Sequence, residues 1–324
     1  MRSVGAKGSW PARPAPRHHT TLRSTCSTAS TTRRVTTPSS TADGRGYRVS
    51  GPTGWGPRNE GDAVSDYECL LYEEADGIAT VTLNRPDKHN SFSPTQIAEI
   101  EDVWKKLRFN DDVACVIVTG AGERAFSSGI DLTHAHPQPV SKMIIDDPML
   151  RIGPKTNDMW KPVIAAVNGM ACGGAFYILG EVEFIIASEN ATFFDPHVTH
   201  GMPCIYEPIL MLQRMPIGEI MRLSLLGRHE RMSAKRAYEI GLVSEVVPFD
   251  GLMEAARWSA EVIASAPDQV AMESTVKAIW AAQHSNLAQA FHSAPLYINV
   301  VDGASGTAER ANNLRHQKIE PRIR

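Results

Sequence analysis

The chain has 324 residues, 42% of them hydrophobic and 21% charged, the balance of an ordinary globular protein. Its net charge of −3 hides an uneven distribution: residues 1–63 carry ten Lys/Arg against three Asp/Glu, and residues 64–324 carry 23 against 33. The acidic body has no net attraction for nucleic acid or an anionic membrane surface, so neither is an expected partner. The five cysteines (Cys26, Cys69, Cys115, Cys172, Cys204) are odd in number and form no CxxC pair. That argues against a disulfide framework or a zinc knuckle and fits a reducing, cytoplasmic setting. No apolar run approaches the roughly 18 residues that suggest a membrane span.

Residues 1–63 read as a disordered basic tail, and residues 64–324 as the folded domain. From Met1 to Ala42 there is no acidic residue, Ser, Thr, Arg and Pro dominate, and apolar residues follow neither period 2 nor period 3.6. Two other readings stand beside disorder. An Arg- and Ser-rich, acid-poor stretch resembles a transit peptide, although Pro11, Pro14 and Pro16 break the amphipathic helix such peptides form. Alternatively, translation begins downstream: no methionine falls between Met1 and Met143, and Val64 is a candidate GTG start.

In the body, Leu70–Tyr72 and Ile78–Leu83 read as short strands. Asn84-Arg85-Pro86-Asp87 breaks the chain, and Ser93-Pro94-Thr95-Gln96 predicts a helix start with Ser at the cap, Pro next and Gln three residues on. Ile97, Ile100, Trp104 and Leu107 follow on one face. Residues 114–119 (ACVIVT) form a continuous apolar run of the kind found in a strand buried on both sides. The pattern repeats with a strand at Val163–Val167, a helix opening at Ala175–Leu179 and a strand at Phe184–Ala187. Alternating strands and helices indicate an α/β fold. Beyond Glu207 the pattern is helical, interrupted by one strand at Val243–Val247, and no composition shift marks a second domain.

Two glycine-centred segments carry candidate chemistry. Ala125-Phe126-Ser127-Ser128-Gly129-Ile130-Asp131-Leu132 follows the strand at 114–119. Pro162 to Gly169 leads into Ala171-Cys172-Gly173-Gly174-Ala175, where a strand delivers a glycine pair to a helix start. Alone, a Gly-Gly before a helix is more often a turn, and Ser-Ser-Gly more often a loop.

In this order and spacing the two segments resemble the crotonase (enoyl-CoA hydratase/isomerase) superfamily. Leu83-Asn84-Arg85-Pro86 with Asn90, the run Lys161 to Gly169, and Ser233–Val247 match the same family, so the resemblance spans about residues 67–285. It implies a crotonase-type spiral of ββα units with a helical C-terminal trimerisation region, assembled as a homotrimer or hexamer. It implies an acyl-CoA substrate, with coenzyme A part of that substrate, no separate cofactor and no metal. Carried over by position, the backbone N–H groups of Ile130 and Gly174 form an oxyanion hole. Lys88, Asn90, Ser128, Asp131 and Gly173 fall along the coenzyme A path, although a solvated Lys88 and a loop-bracing Asp131 are the plainer readings.

The family's hydratases use two glutamates to hold and activate water. Their positions here are Tyr177 and His197, which puts ordinary hydration in doubt. His197 is the first replacement acid/base, because an imidazole titrates near neutral pH. Glu207 is the second, able to orient His197 or act as base, and Tyr177 could donate a hydrogen bond to substrate. Their structural alternatives are a packed core-edge histidine, an exposed first-turn carboxylate and a buried tyrosine with one satisfied hydroxyl. The expected function is hydratase/isomerase-like chemistry through a stabilised enolate. The alternatives are a carbon–carbon bond hydrolase or isomerase using His197, or a non-catalytic CoA-ester-binding subunit.

Overall fold

Ile78–Leu83 does form a strand, and Asp76-Gly77 turns the chain into it from Leu70–Ala75. Both turn residues have positive φ (55° and 76°), so the twist of the turn matches that of the strands. The resulting β1 (Leu70–Ala75) and β2 (Ile78–Leu83) pair antiparallel, with Ala75 opposite Ile78. The protein is represented here by a computed structural model that describes residues 67–134, 145, 147–300 and 321–324. The expectations for residues 1–63 fall outside those residues. All described residues lie within one compact unit, Glu60–Arg324.

Helix α1 (Pro94–Leu107) begins where the sequence places it, with the Ser93 hydroxyl accepting from Gln96 N–H. The Gln96 side chain does not close the cap; its amide donates instead to the Cys69 carbonyl at 3.1 Å, tying α1 to the start of β1. Ile97, Ile100, Val103, Trp104 and Leu107 form the buried face. Trp104 is fully buried, and its indole N–H donates to the Ile152 carbonyl at 2.7 Å. That bond meets the need of a buried indole for a partner and pins the 3-10 turn Pro148–Ile152 over the helix.

Each later turn of the chain contributes one strand to each of two sheets. β3 (Cys115–Gly120), β5 (Val163–Val167), β7 (Phe184–Ser188) and β10 (Glu245–Val247) extend the first pair into a six-stranded sheet ordered β1-β2-β3-β5-β7-β10. Every pairing beyond β1–β2 is parallel. β4 (Ala125–Ser127), β6 (Met170–Cys172), β8 (Thr192–Phe194) and β9 (Met232–Ser233) make a four-stranded sheet in that order, parallel from β4 to β8. Sequence periodicity does not reveal this second sheet, because strands of two or three residues are too short to alternate.

β3 is covered on both faces, which explains its unbroken apolar run. Cys115 and Ile117 pack with Ala255, Ala256 and Ala260 of α6 (Leu252–Ala264), while Val116 and Val118 join the main core with Trp104 and Phe126. Burying one such side chain contributes roughly 1.5–3 kcal/mol. The remaining helices are α2 (Ala175–Leu179), α3 (Tyr206–Met211), α4 (Ile217–Leu226), α5 (Ala234–Glu239), α7 (Gln269–Gln283) and α8 (Leu287–Ile298). The whole is the α/β spiral with a helical C-terminal region that the sequence implied. No described helix is long and apolar enough to cross a membrane.

Candidate active site

Because β4, β6 and β8 run parallel and side by side, the chain leaves all three at the same edge of the small sheet. The exits are Ser128–Ile130, Gly173–Gly174 and Asp195–His197. Gly129 has φ +83°, and a methyl group on it would come within 2.9 Å of both the Cys172 carbonyl oxygen and the Gly174 nitrogen. A methyl group on Gly174 would meet the Ile130 nitrogen at 3.3 Å. Only glycine permits so close an approach of two backbones.

The ladder between Phe92 and Ile130 uses Phe92 N–H to Gly129 O (2.8 Å) and Asp131 N–H to Phe92 O (3.0 Å). Ile130 N–H lies between these bonds and donates to nothing in the described structure. Gly173 N–H is engaged by Phe194 O at 3.2 Å, whereas Gly174 N–H has no acceptor there. Two neighbouring amide donors are thus left over where most backbone groups find partners. Such a pair can hold one oxygen that carries developing negative charge.

The third exit brings the histidine. Asp195 is fully buried, and its Oδ1 accepts the His197 backbone N–H at 2.9 Å, an Asx turn across Pro196. The same oxygen lies 2.7 Å from His197 Nδ1. With the carboxylate accepting, Nδ1 carries the hydrogen and Nε2 is the nitrogen left for chemistry. Nε2 lies 3.7 Å from Oε1 of Glu207, which is buried in the first turn of α3. The ring edge of His197 is 3.8 Å from where a β-carbon on Gly173 would sit, so the imidazole flanks the glycine pair.

The Asp195 hydrogen bond raises the His197 pKa, outweighing burial, and Glu207 and Asp147 act in the same direction. Burial raises the Glu207 carboxyl, with Asp195 and Asp147 adding to it and His197 opposing it. The pair therefore retains a proton more firmly than either group does in water. Burial and the nearby Asp195 also push the Cys172 thiol up to about 12, so it stays protonated.

Tyr177, on α2, is buried and donates its hydroxyl hydrogen to Asp147 Oδ2 at 2.9 Å. Burial, then Glu207 and Asp147, drive its pKa far upward, leaving it able to donate a hydrogen bond but not to ionise at neutral pH. Asp147 itself caps the 3-10 turn by accepting Met149 N–H at 2.8 Å.

The other site residues divide. Lys88 is exposed at the end of a 3-10 turn, and Ser128 is half-buried beside it, its N–H donating to His89 O at 3.0 Å. Asn90 turns inward: its side-chain oxygen accepts from Arg85 N–H, and its amide donates to Ala121 O and Ala125 O. Every polar atom of that side chain is bonded within the chain. Asp131 likewise braces its loop, meeting Arg85 at 2.9 Å and Thr133 N–H at 3.0 Å.

Two site residues escape the sequence reading. Asp147 is missed because Asp-Pro reads only as a turn, although an Asp ahead of Pro148 is a cap signal. Cys204 has no spacing cue at all, yet its sulfur lies with the polar ends of Asp195, His197 and Glu207, all within 4.8 Å of one another.

A two-sheet spiral whose chemistry sits at the exits of the small-sheet strands defines an enzyme of the crotonase type. The chain belongs to the enoyl-CoA hydratase/isomerase family, which it matches over residues 73–295. It is 37% identical over 201 residues to the (E)-benzylidenesuccinyl-CoA hydratase of Thauera aromatica, an overlap covering 61% of this chain and 77% of that one. It is 32% identical over 210 residues to the 1,2-epoxyphenylacetyl-CoA isomerase of Escherichia coli K12, covering 62% and 78%. Among solved structures, an enoyl-CoA hydratase/isomerase from Mycobacterium paratuberculosis superposes with a TM-score of 0.70 at 35% identity, covering 78% of this chain and 96% of that one. The family acts on acyl-CoA thioesters.

Proposed function

We propose that this enzyme forms an enolate from an acyl-CoA thioester, with Ile130 and Gly174 N–H groups binding the carbonyl oxygen and His197 moving the proton. The observation that carries the reading is the pair of unengaged amide donors flanked by an imidazole that Asp195 orients. In the forward step Nε2 takes a proton from the carbon next to the carbonyl, and the C–H electron pair passes into the enolate oxygen. Two fixed donors stabilise that charge more than the neutral carbonyl, and each is worth roughly 3 kcal/mol of barrier. The proton then returns at a different carbon; on a 2-enoyl ester the same enolate forms instead when water, losing a proton to His197 or Glu207, adds to the β-carbon, and it is then protonated next to the carbonyl.

Tyr177 and His197 replace the two glutamates by which hydratases of this family deliver water. The reading thus favours a single imidazole-centred acid/base. Lys88, Ser128 and Gly173 are assigned to the coenzyme A path, Asn90 and Asp131 to bracing it. A homotrimer or hexamer belongs to the same proposal, supported by Leu287, Phe291, Leu296 and Ile298 of α8, which are large, apolar and exposed.

Incubating the protein with 2-enoyl-, 3-enoyl- and saturated acyl-CoA esters in deuterated water tests the reading. Deuterium is expected next to the carbonyl, with loss of at least about 100-fold in His197→Gln. Binding of the esters without exchange, isomerisation or hydration would overturn it.

A further inference from the structure

The carboxylate that orients His197 is gripped by that residue at one oxygen only. Asp195 Oδ1 accepts both His197 hydrogens, from the backbone N–H at 2.9 Å and from Nδ1 at 2.7 Å. Among the described residues no N–H or O–H reaches Oδ2, although Asp195 has no exposed surface. The other group facing this carboxylate is the Cys204 thiol, whose sulfur lies with the polar ends of Asp195, His197 and Glu207 inside 4.8 Å. Cys204 reaches it because the chain doubles back after the 3-10 turn His197–His200. Gly201 closes that turn at φ +75°, and Met202 N–H donates to His197 O at 3.0 Å.

The thiol is suited to act as a donor. Burial, followed by the charges of Asp195 and Glu207, pushes its pKa well above the ordinary value, so the sulfur keeps its hydrogen at neutral pH. Ser224 Oγ, on α4, lies 3.9 Å from the sulfur, so two acceptors compete for one hydrogen. The carboxylate is the stronger, because a hydrogen bond to a charged acceptor is roughly twice as strong as a neutral one. The Ser224 hydroxyl can then turn its own hydrogen toward the sulfur.

We propose that Cys204 is a positioning residue of this site: its thiol donates to Asp195 Oδ2, reserves Oδ1 for His197, and limits how strongly the carboxylate draws the ring proton. A carboxylate held at one oxygen can rotate about its Cβ–Cγ bond, and rotation breaks the Asx turn and the Nδ1 bond together. A donor on the second oxygen removes that freedom. It also draws negative charge away from Oδ1, which weakens the hold of Asp195 on the imidazolium and lowers the proton affinity of Nε2. The effect on turnover rests on the proton-transfer role proposed for His197; the contact does not. Glu207 faces the ring from α3, and Asp147, bonded to Tyr177 of α2, from the loop ahead of Pro148. Cys172, at the end of β6, faces Asp195 and is itself near Arg231. A change at Cys204 alters none of these groups.

Cys204→Val and the smaller Cys204→Ala remove the donor, whereas Cys204→Ser keeps one. NMR titration of the His197 ring in the substrate-free protein is expected to give a pKa roughly 0.5–1 unit higher in the Val and Ala variants than in the wild type. Cys204→Ser should titrate at or slightly below the wild-type value. The acid limb of kcat/KM should move up in pH by the same amount, a loss of roughly 3- to 10-fold below the limb with the high-pH plateau retained. A His197 pKa unchanged or lowered in the variants without a donor overturns the proposal. So does an equal disturbance in Cys204→Ser that tracks loss of urea stability, the mark of packing alone. The expected NMR shift with no turnover of any ester by the wild type would uphold the contact and remove the proton-transfer reading of His197 instead.

Discussion

Tyr177 donates its hydroxyl hydrogen to Asp147 at 2.9 Å, joining α2 to the loop that carries the Pro148–Ile152 turn. The bond orients a buried hydroxyl that cannot ionise near neutral pH. Tyr177→Phe should therefore destabilise the fold by about 1 kcal/mol while lowering turnover by less than about tenfold. Urea unfolding paired with steady-state kinetics separates the two effects. A 100-fold loss of turnover at unchanged stability would instead make Tyr177 a direct participant.

Asp195 acts through His197, holding the ring by Nδ1 and the backbone by the same oxygen. Asp195→Asn keeps the shape and an oxygen able to accept both hydrogens, but it removes the negative charge that stabilises a protonated ring, and an amide turned with its NH2 toward Nδ1 donates there and reverses the tautomer. Turnover is expected to fall by roughly 100-fold or more, with KM for the CoA ester nearly unchanged. NMR of the His197 ring nitrogens gives a second readout: a purely structural aspartate would leave the Nδ1 hydrogen where it is.

The two glycines that frame the amide pair predict different failures. On Gly174 a β-carbon meets the Met149 methyl at 2.6 Å, a flexible neighbour that can yield, and then the Ile130 nitrogen at 3.3 Å. Gly174→Ala should fold and lose about 100-fold in turnover, because the methyl crowds the donors. On Gly129 the φ of +83° and backbone atoms at 2.9 Å leave no such escape. Gly129→Ala should lower the melting temperature sharply, and equal stability of the two variants would contradict this account.

The sequence conveys much of this because the site is written in backbone-permissive residues. Gly129, Gly173 and Gly174 stand next to strands, and their order identifies the family before any side chain is considered. The long apolar run at 114–119 likewise marks β3 as the sheet centre. What stays hidden depends on neighbours distant in the chain. The strands β4, β6 and β8 are too short to show a period, so the alignment of their exits cannot be read from spacing. Asp147 meets Tyr177 across 30 residues, and Glu207 comes within 3.7 Å of His197 from a separate helix. Asn90 illustrates the reverse: a polar residue in the right motif that the fold turns inward to hold two carbonyls.

Asp131 offers a test of how the ligand-side loop is held. Burial works against its charge, but hydrogen bonds from Thr133 and the Arg85 guanidinium outweigh it and hold the carboxyl well below the usual carboxylate range. A folded carboxyl depressed below its unfolded value of about 4 adds stability that is fully present above that pH and drains away as the pH falls through and below it. At pH 7.5 Asp131→Asn should cost about 2 kcal/mol. The gap between wild type and variant should then narrow from about pH 5 downward, because protonation removes from the wild type what the substitution has already removed. Urea midpoints measured for both proteins across that range would show the convergence. A gap that stays constant to pH 3 would mean that the loop is held by packing and not by the Arg85–Asp131 charge pair.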